Sequence, residues 1–584
     1  MKPVRLPAAA TIALPRWVIF ALCLLYILPG LFGRDPWKGD DAASFGVMWT
    51  MAHGGLQDWL WPHIVGLPMP QEGPLAFWLG ALCIKLFGWL VGDATAARLS
   101  TALFFLLGSV SVWYATYLLG RRSEAQPLKL AFGGQPEPRD FGRTLADGAL
   151  LIYLGCLGLL LPSHETTAES LHISLVAYSL YLCVRLFDAQ DKPAKRVALR
   201  LGICLGLMAL TRGWILPLAL CLGLTGLALY LKRPHSRVLL LISLPAALLV
   251  AGIWIFAINL IHPFNSSPFA AWMQWNNRQL DLPSLDSIAY FFKYGIWFAW
   301  PAWPFAAWAV YAWRKQEKAL HIALPVTFAF IVVLLAFMNR FSEQSILLPV
   351  LPPLAILAAF GLPTMKRSAI NAVDWFAVMV MTGFASIIWF AWIAMQSGWP
   401  APIAKKVLSW APGFTPEFNL FGFVIALAVS VAWFRLVYWR ISRQPSVLWR
   451  AVVLSTGGVI LCWLLLMTLC LPLINHRITY AALAKDIAQQ IQKNAQTPHA
   501  CIDSNVDPAQ RAMFAYFGEL HFSGFSDQPC ELLLLQDSRR LQDKRAKEMS
   551  PEDSNYRGPW ERIWQGRRAY DRDESFTLYM RKQP

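Results

Sequence analysis

Apolar runs of about twenty residues recur from Trp17 to about Asn475, and this recurrence fixes the fold class before any motif is considered. A helix of that length crosses the hydrocarbon core of a bilayer, where every backbone N–H and C=O must be paired within the protein. The composition agrees: 56% of residues are hydrophobic and 15% charged, against about 25% charged for a soluble domain. The 28 Trp and 35 Phe supply anchors for the two membrane interfaces. The chain reads as an all-α polytopic membrane protein. Its net charge of +16 does not point to nucleic acid, because most basic residues sit in short loops between apolar runs, which is an orientation signal.

Basic clusters at Lys2/Arg5/Arg16, Arg121/Arg122, Lys192/Lys195/Arg196, Lys232/Arg233/Arg237, Arg314/Lys315/Lys318, Lys366/Arg367 and Arg440/Arg443/Arg450 are assigned to the cytoplasm. The segments between them carry few basic residues and face outward. Run 17–33 leads out and Arg121/Arg122 lie inside, so one further crossing separates them. Of the two apolar runs available, 99–119 is clean, whereas 74–91 carries Lys85; the latter reads as a helix in the outer interface. Later crossings fall near 146–162, 166–187, 198–211, 214–231, 238–260, 289–312, 319–338, 346–362, 370–396, 418–439 and 451–473, making thirteen spans. The N-terminus is then cytoplasmic and the C-terminus outside. The first run is long and lacks a small-residue cleavage site, so it should remain as a signal anchor.

This gives a membrane domain over 1–474, with an outer loop at 34–98 holding interfacial helices, and a soluble outer domain over 475–584. The amphipathic helix at 481–491 and the strand-like runs 530–535 and 575–580 make the latter a small α/β module. Eight of the ten cysteines lie in apolar helices and read as small hydrophobes; Cys501 and Cys530 lie in the polar part, where an oxidising compartment would allow a disulfide.

The outer face collects Asp40, Asp41, Glu72, His164, Glu165, Glu169, Arg212, Arg278, Arg340 and Glu343, the richest set of ionisable groups in the membrane region. Each has a plain structural alternative. Asp40 or Asp41 could N-cap a helix over Ala42–His53, His164-Glu165 could form an interfacial turn, and Arg212 and Arg278 could be snorkelling anchors. Both signs of charge on one face favour a site, because carboxylates activate hydroxyl nucleophiles and arginines hold phosphates. No HExxH, cysteine-pair or P-loop pattern occurs, so no cofactor is implied and a divalent metal has no support in the sequence.

Five motifs follow in order: the acidic pair after the first run, Gly73-Pro74-Leu75 with Leu86-Phe87-Gly88, Ala96-Ala97-Arg98, Thr211-Arg212-Gly213, and Leu347-Leu348-Pro349 with Pro352-Pro353. Together they resemble the C-type membrane glycosyltransferases (the GT-C fold) of the protein O-mannosyltransferase and lipid A aminoarabinose transferase group, over roughly 15–475. The resemblance implies a polyprenyl-phosphate sugar donor, a lipid or glycan acceptor such as lipid A, and the periplasmic face of a Gram-negative inner membrane. It implies Asp40 as base with Asp41 beside it, Glu169 as the second acidic position, and Arg278 on the donor phosphate with help from Arg212 or Arg340. Two departures stand out. Glu72-Gly73-Pro74-Leu75 occupies the place of Lys-Pro-Pro-Leu, and Ile346 replaces a tyrosine.

Two other classes compete. A polysaccharide polymerase or O-antigen ligase places its catalytic groups in a large loop between late spans, but the longest such loop here, about 397–418, is short. A lipid-linked-sugar transporter would carry mid-membrane charges and paired halves, and neither is evident.

Overall fold

The computed structural model describes residues 4–131, 133–189, 191–261, 268–340, 343–441, 447–494, 500–523, 530–538, 560–568 and 574–581. The helices run α1 Arg16–Ile27, α2 Asp40–His53, α3 Leu75–Val91, α4 Asp93–Arg121, α5 Pro138–Gly155, α6 Leu157–Leu160, α7 Ala168–Asp188 and α8 Asp191–Ala209. They continue as α9 Ile215–Tyr230, α10 His235–Val238, α11 Leu244–Ile261, α12 Pro268–Arg278, α13 Leu285–Phe298, α14 Ala302–Trp313, α15 Leu320–Phe337 and α16 Leu351–Gly361. The last are α17 Arg367–Ser397, α18 Ala401–Ser409, α19 Leu420–Ile441, α20 Val453–Leu469, α21 Leu471–Ile478, α22 Ala481–Asn494 and α23 Pro508–Gly518.

Each of the thirteen expected crossings falls on helix. Among the described residues, seven helices are long and apolar enough to span a membrane, and an eighth if the bent pair α20–α21 counts as one. The others are shortened or interrupted. Run 146–162 breaks at Cys156, where the Leu157 N–H bonds the Trp300 carbonyl instead of its own helix. Run 289–312 breaks ahead of Pro301, which lacks an N–H to continue the ladder. Run 451–473 turns by 74° after Leu469. Helix α3, expected at the interface, has 17 residues and packs along α2 and α4, with its Lys85 over the Trp59 ring.

Apolar composition serves two roles in this bundle. In α7, 83% of the spanning window is buried, whereas α19 buries only 17% and presents Phe421, Phe434 and Tyr438 outward, as a lipid-facing helix would. The inner helices meet through small residues: Gly108 of α4 lies against Ser174 and Tyr153, and Gly120 against Gly142. Without side chains there, the backbones approach closely enough for dispersion to hold the helices together where lipid gives no hydrophobic driving force.

A two-stranded ribbon, β1 His63–Ile64 with β2 Leu67–Pro68, follows α2. Beyond α21, strands β3 Ile502–Ser504, β4 Leu532–Ser538, β5 Trp560–Gly566 and β6 Glu574–Arg581 form a sheet of order β3-β4-β6-β5. The β3–β4 pair is parallel and the others antiparallel. Leu532, Leu533, Leu534 and Leu535 are all buried, which explains why this strand reads as a continuous apolar run. Cys501 and Cys530 are joined as a disulfide with Cα atoms 4.9 Å apart, next to β3 and β4. Helix α23 packs on α2, where Gly46 leaves room for Ala512; a Cβ on Gly46 would lie 2.3 Å from the Ala512 Cβ. Arg511 adds a hydrogen bond of 2.6 Å to the Val65 carbonyl in the β1–β2 turn. The strand-containing C-terminal part therefore touches the helix that carries the acidic pair.

Candidate active site

Gly39, with φ of 92°, lies in the left-handed region that a side chain disfavours and turns the chain into α2. The helix begins at Asp40, two residues before the expected Ala42, so the aspartates fill its first two positions rather than capping it. Negative charge is favourable there, beside backbone N–H groups with no partner within the helix. Successive residues point about 100° apart around a helix axis, and this separates the fates of the pair.

Asp41 is 2% exposed and fully engaged. One oxygen accepts from Arg34 at 2.8 Å and from the Trp37 N–H at 3.0 Å; the other accepts from the Thr166 N–H at 2.7 Å and the Thr166 hydroxyl at 2.9 Å. Arg98 stands 4.0 Å away and donates to the Arg34 carbonyl at 2.5 Å. Burial alone would raise this carboxyl; the two arginines and the two backbone N–H groups outweigh it and hold it below the usual carboxylate range. Asp41 thus ties the loop between α1 and α2 to α4 and to the loop before α7. The neighbouring Glu165 is driven up to about 8 by burial, then by the Asp41 charge, against the opposing pull of Arg34.

Asp40 is exposed at the head of α2. Its surroundings still raise its carboxyl, first by partial desolvation and then through Glu169, Glu343 and Asp41, with Arg212 opposing. Those partners form one centre. Arg212 donates to Glu169, the second residue of α7, and to Glu343 at 2.6 Å. Glu72 joins it: the Gly73 N–H donates to the Thr211 carbonyl at 3.0 Å, which docks the Glu72–Leu75 segment on the Arg212 turn. Burial raises Glu72 well above the usual range, although Arg212 opposes this, and among the described residues its Oε2 has no hydrogen-bond partner. Four carboxyl groups from four separate segments thus gather around one arginine.

The remaining candidates lie elsewhere. His164 is buried, with its ring nitrogens 2.6 Å from the Leu160 carbonyl and 2.8 Å from the Tyr26 carbonyl; burial pushes it down to about 4. It packs between Tyr26 and Trp463 as a structural residue. Arg278 and Arg340 are exposed on adjoining segments: the Arg340 N–H donates to the Gln279 carbonyl at 2.9 Å, beside a bridge between Leu280 and Asn339.

Two openings flank this acidic centre. A small cleft is lined by His172, Arg212 and Gly213, by Gln279 and Asn339 from the arginine-bearing segments, and by apolar side chains of α9 and α15. A larger, mainly apolar groove runs between α17, α18 and α20–α21. Trp392, Trp410 and Trp463 are in its wall, and Lys38, Arg477 and Arg568 reach it. Lys38 lies two residues before Asp40. Among the described residues, no group of three or more His, Cys, Asp or Glu side chains is arranged to hold a metal ion.

Several of these residues carried little sequence signal. Arg34 counted only as a sparse loop charge, Arg98 stood in a motif without an assigned role, and Thr166 carried no signal; nothing in the order of residues shows that all three converge on Asp41. His172 was detectable, since it follows Glu169 by three residues and so shares its helix face.

No family model matches the chain. Its sequence is 28% identical over 253 residues to the undecaprenyl phosphate-α-4-amino-4-deoxy-L-arabinose arabinosyl transferase of Pseudomonas aeruginosa, 41% of this chain and 40% of the relative. It is 27% identical over 229 residues to a second such transferase from Pseudomonas fluorescens, 37% of this chain and 34% of the relative. The matched region thus spans two-fifths or less of these relatives' length. The crystal structure of ArnT from Cupriavidus metallidurans bound to undecaprenyl phosphate superimposes with a TM-score of 0.63 at 15% identity, covering 96% of this chain and 98% of that one. Its apo form gives 0.62 at 16% identity, with the same coverage. In fold and in part of its sequence, this multi-pass chain is similar to the lipid A aminoarabinose transferase group that its motifs resemble.

Proposed function

We propose that the chain is an inverting glycosyltransferase that moves a sugar from a polyprenyl-phosphate donor to a lipid acceptor at the outer face of a bacterial inner membrane. Its N-terminus is cytoplasmic and its C-terminal α/β part periplasmic. The observation that carries this reading is the division of the acidic pair: Asp41 is consumed by structure, while Asp40 stands exposed beside the Arg212 centre. The names of the relatives and of the ArnT complex add the donor class, undecaprenyl phosphate bearing a sugar.

The headgroup of the polyprenyl phosphate sits at the Arg212 cleft, with its phosphate near Arg278 and Arg340, and the acceptor lipid enters from the groove rimmed by Lys38 and Arg477. An acceptor hydroxyl attacks the anomeric carbon as the bond to the phosphate oxygen breaks. Its proton passes to Asp40, and the electron pair leaves with polyprenyl phosphate, whose charge the arginines stabilise. A carboxyl raised towards the working pH is a stronger base than an unperturbed one. Where the acceptor is itself a phosphate no proton need be removed, and Asp40 orients it. Glu169 and Glu343 hold the Arg212 fork in place.

The test uses purified protein, a polyprenyl-phosphate sugar and a lipid acceptor that offers a hydroxyl, with release of polyprenyl phosphate as the readout. Asp40→Asn should reduce turnover at least ~10²-fold while leaving unfolding unchanged, because a general base contributes about 10²–10⁴-fold. Turnover close to wild type would overturn the assignment.

A further inference from the structure

The cleft beside Arg212 contains a polar group that the scheme above does not use. His172 lies in α7 three residues after Glu169 and is 8% exposed. It lines the cleft with Arg212 and Gly213, yet among the described residues its Nε2 has no hydrogen-bond partner. Buried polar atoms nearly always find a partner in the protein or in ordered water, so an unpaired imidazole nitrogen on a cleft wall marks where a water or a ligand atom would bond.

Two features of the cleft define that ligand. One wall is apolar, built from Ile215 and Leu216 at the start of α9 and Val332 and Leu335 of α15, and it meets the polar wall at His172. An amphiphile whose hydrocarbon chain ends in a hydrogen-bond acceptor fits that junction. The nearest cation, Arg212, already gives one terminal nitrogen to Glu169 and the other to Glu343. Two of the five guanidinium N–H groups are thereby engaged, and the imidazole adds a further donor beside them on the same wall.

We propose that His172, protonated at Nε2, donates a hydrogen bond to the phosphate of the polyprenyl phosphate and so sets how deeply the lipid headgroup sits. The assignment rests on the donor reading made under Proposed function. Arg278 and Arg340 attract the anion at the rim, and His172 fixes it from the inside.

The experiment measures the affinity of the purified full-length protein for undecaprenyl phosphate, the reaction product, and the KM and kcat for the sugar-bearing donor. His172→Leu removes the donor atom at similar volume; His172→Gln keeps an N–H near the position of Nε2. His172→Leu should weaken undecaprenyl phosphate binding about tenfold or more and raise KM by a similar factor, since hydrogen bonds to charged groups are among the stronger ones. Its ligand-free unfolding temperature should stay at or above wild type, because the unpaired nitrogen is gone. His172→Gln should recover most of the affinity. Equal affinity in His172→Leu and wild type, or equal losses in both variants, would overturn the role of His172 while leaving the donor reading intact. A wild-type protein that binds no undecaprenyl phosphate would overturn both.

Discussion

Replacing Asp41 by asparagine keeps the shape of the side chain and removes its charge, so it isolates what the carboxylate contributes. Asp41 accepts four hydrogen bonds, two at each oxygen, from Arg34, the Trp37 N–H and both donors of Thr166. In either orientation the asparagine NH2 group faces two of these donors, and each buried donor left unpaired costs about 1–3 kcal/mol. The substitution also leaves Arg34 and Arg98, with side chains 0% and 1% exposed, as two buried cations without their anion. Removing one partner of a buried pair costs about 3–5 kcal/mol, and because these effects describe the same contacts they overlap instead of adding. The expected loss is therefore about 3–5 kcal/mol, against a total stability of about 5–15 kcal/mol for a typical protein. Asp40→Asn is the internal control: it alters an exposed side chain and should change stability by no more than about 0.5 kcal/mol. Thermal unfolding in detergent, followed with a thiol-reactive dye, reads the difference directly, since Cys156 and Cys183 lie buried among the helices that Asp41 ties together. If Asp41→Asn and Asp40→Asn unfold at the same temperature, Asp41 does not hold the outer loop in place and the division between the two aspartates fails.

Two further outcomes are expected. Gly46→Val should force α2 and α23 apart, since even its Cβ would meet Ala512 at 2.3 Å; overpacking of this kind costs about 1–3 kcal/mol, and limited proteolysis should release the C-terminal part faster than in wild type. Glu165 gives a pH signature: its carboxyl is raised from 4.5 to about 8 in the folded protein, so the stability it contributes is complete below about 4.5 and lost as pH rises through about 8. The unfolding temperature should accordingly fall across that window, and Glu165→Gln should flatten the fall; an unchanged slope in the variant would place its origin elsewhere.

The fold was legible because hydrocarbon leaves the backbone few options, and each expected crossing does fall on a helix. Helix breaks were harder to see. Cys156 ends α5 because the following N–H bonds Trp300, a residue 144 positions later, and no local pattern encodes such a partner. The site was legible as a set of outer-face charges in which both Asp40 and Glu169 stood out, but their grouping was not. His164 shares the outer face and even the loop of Glu165, yet it turns inward between Tyr26 and Trp463.

The sequence by itself determined that the chain is helical and spans a membrane, and that a helix follows the acidic pair, though it placed the start of that helix two residues late. Periodicity, length and loop charge are local properties, and a bilayer converts them into topology with little further choice. Tertiary structure alone decided what each charge does. Asp41 became a structural hub because Arg34, Arg98 and Thr166 converge on it from three segments, and Asp40 stayed accessible because the helix turns it the other way. Burial and the choice of partner, which no neighbouring residue specifies, separate two adjacent aspartates that are chemically the same in the unfolded chain.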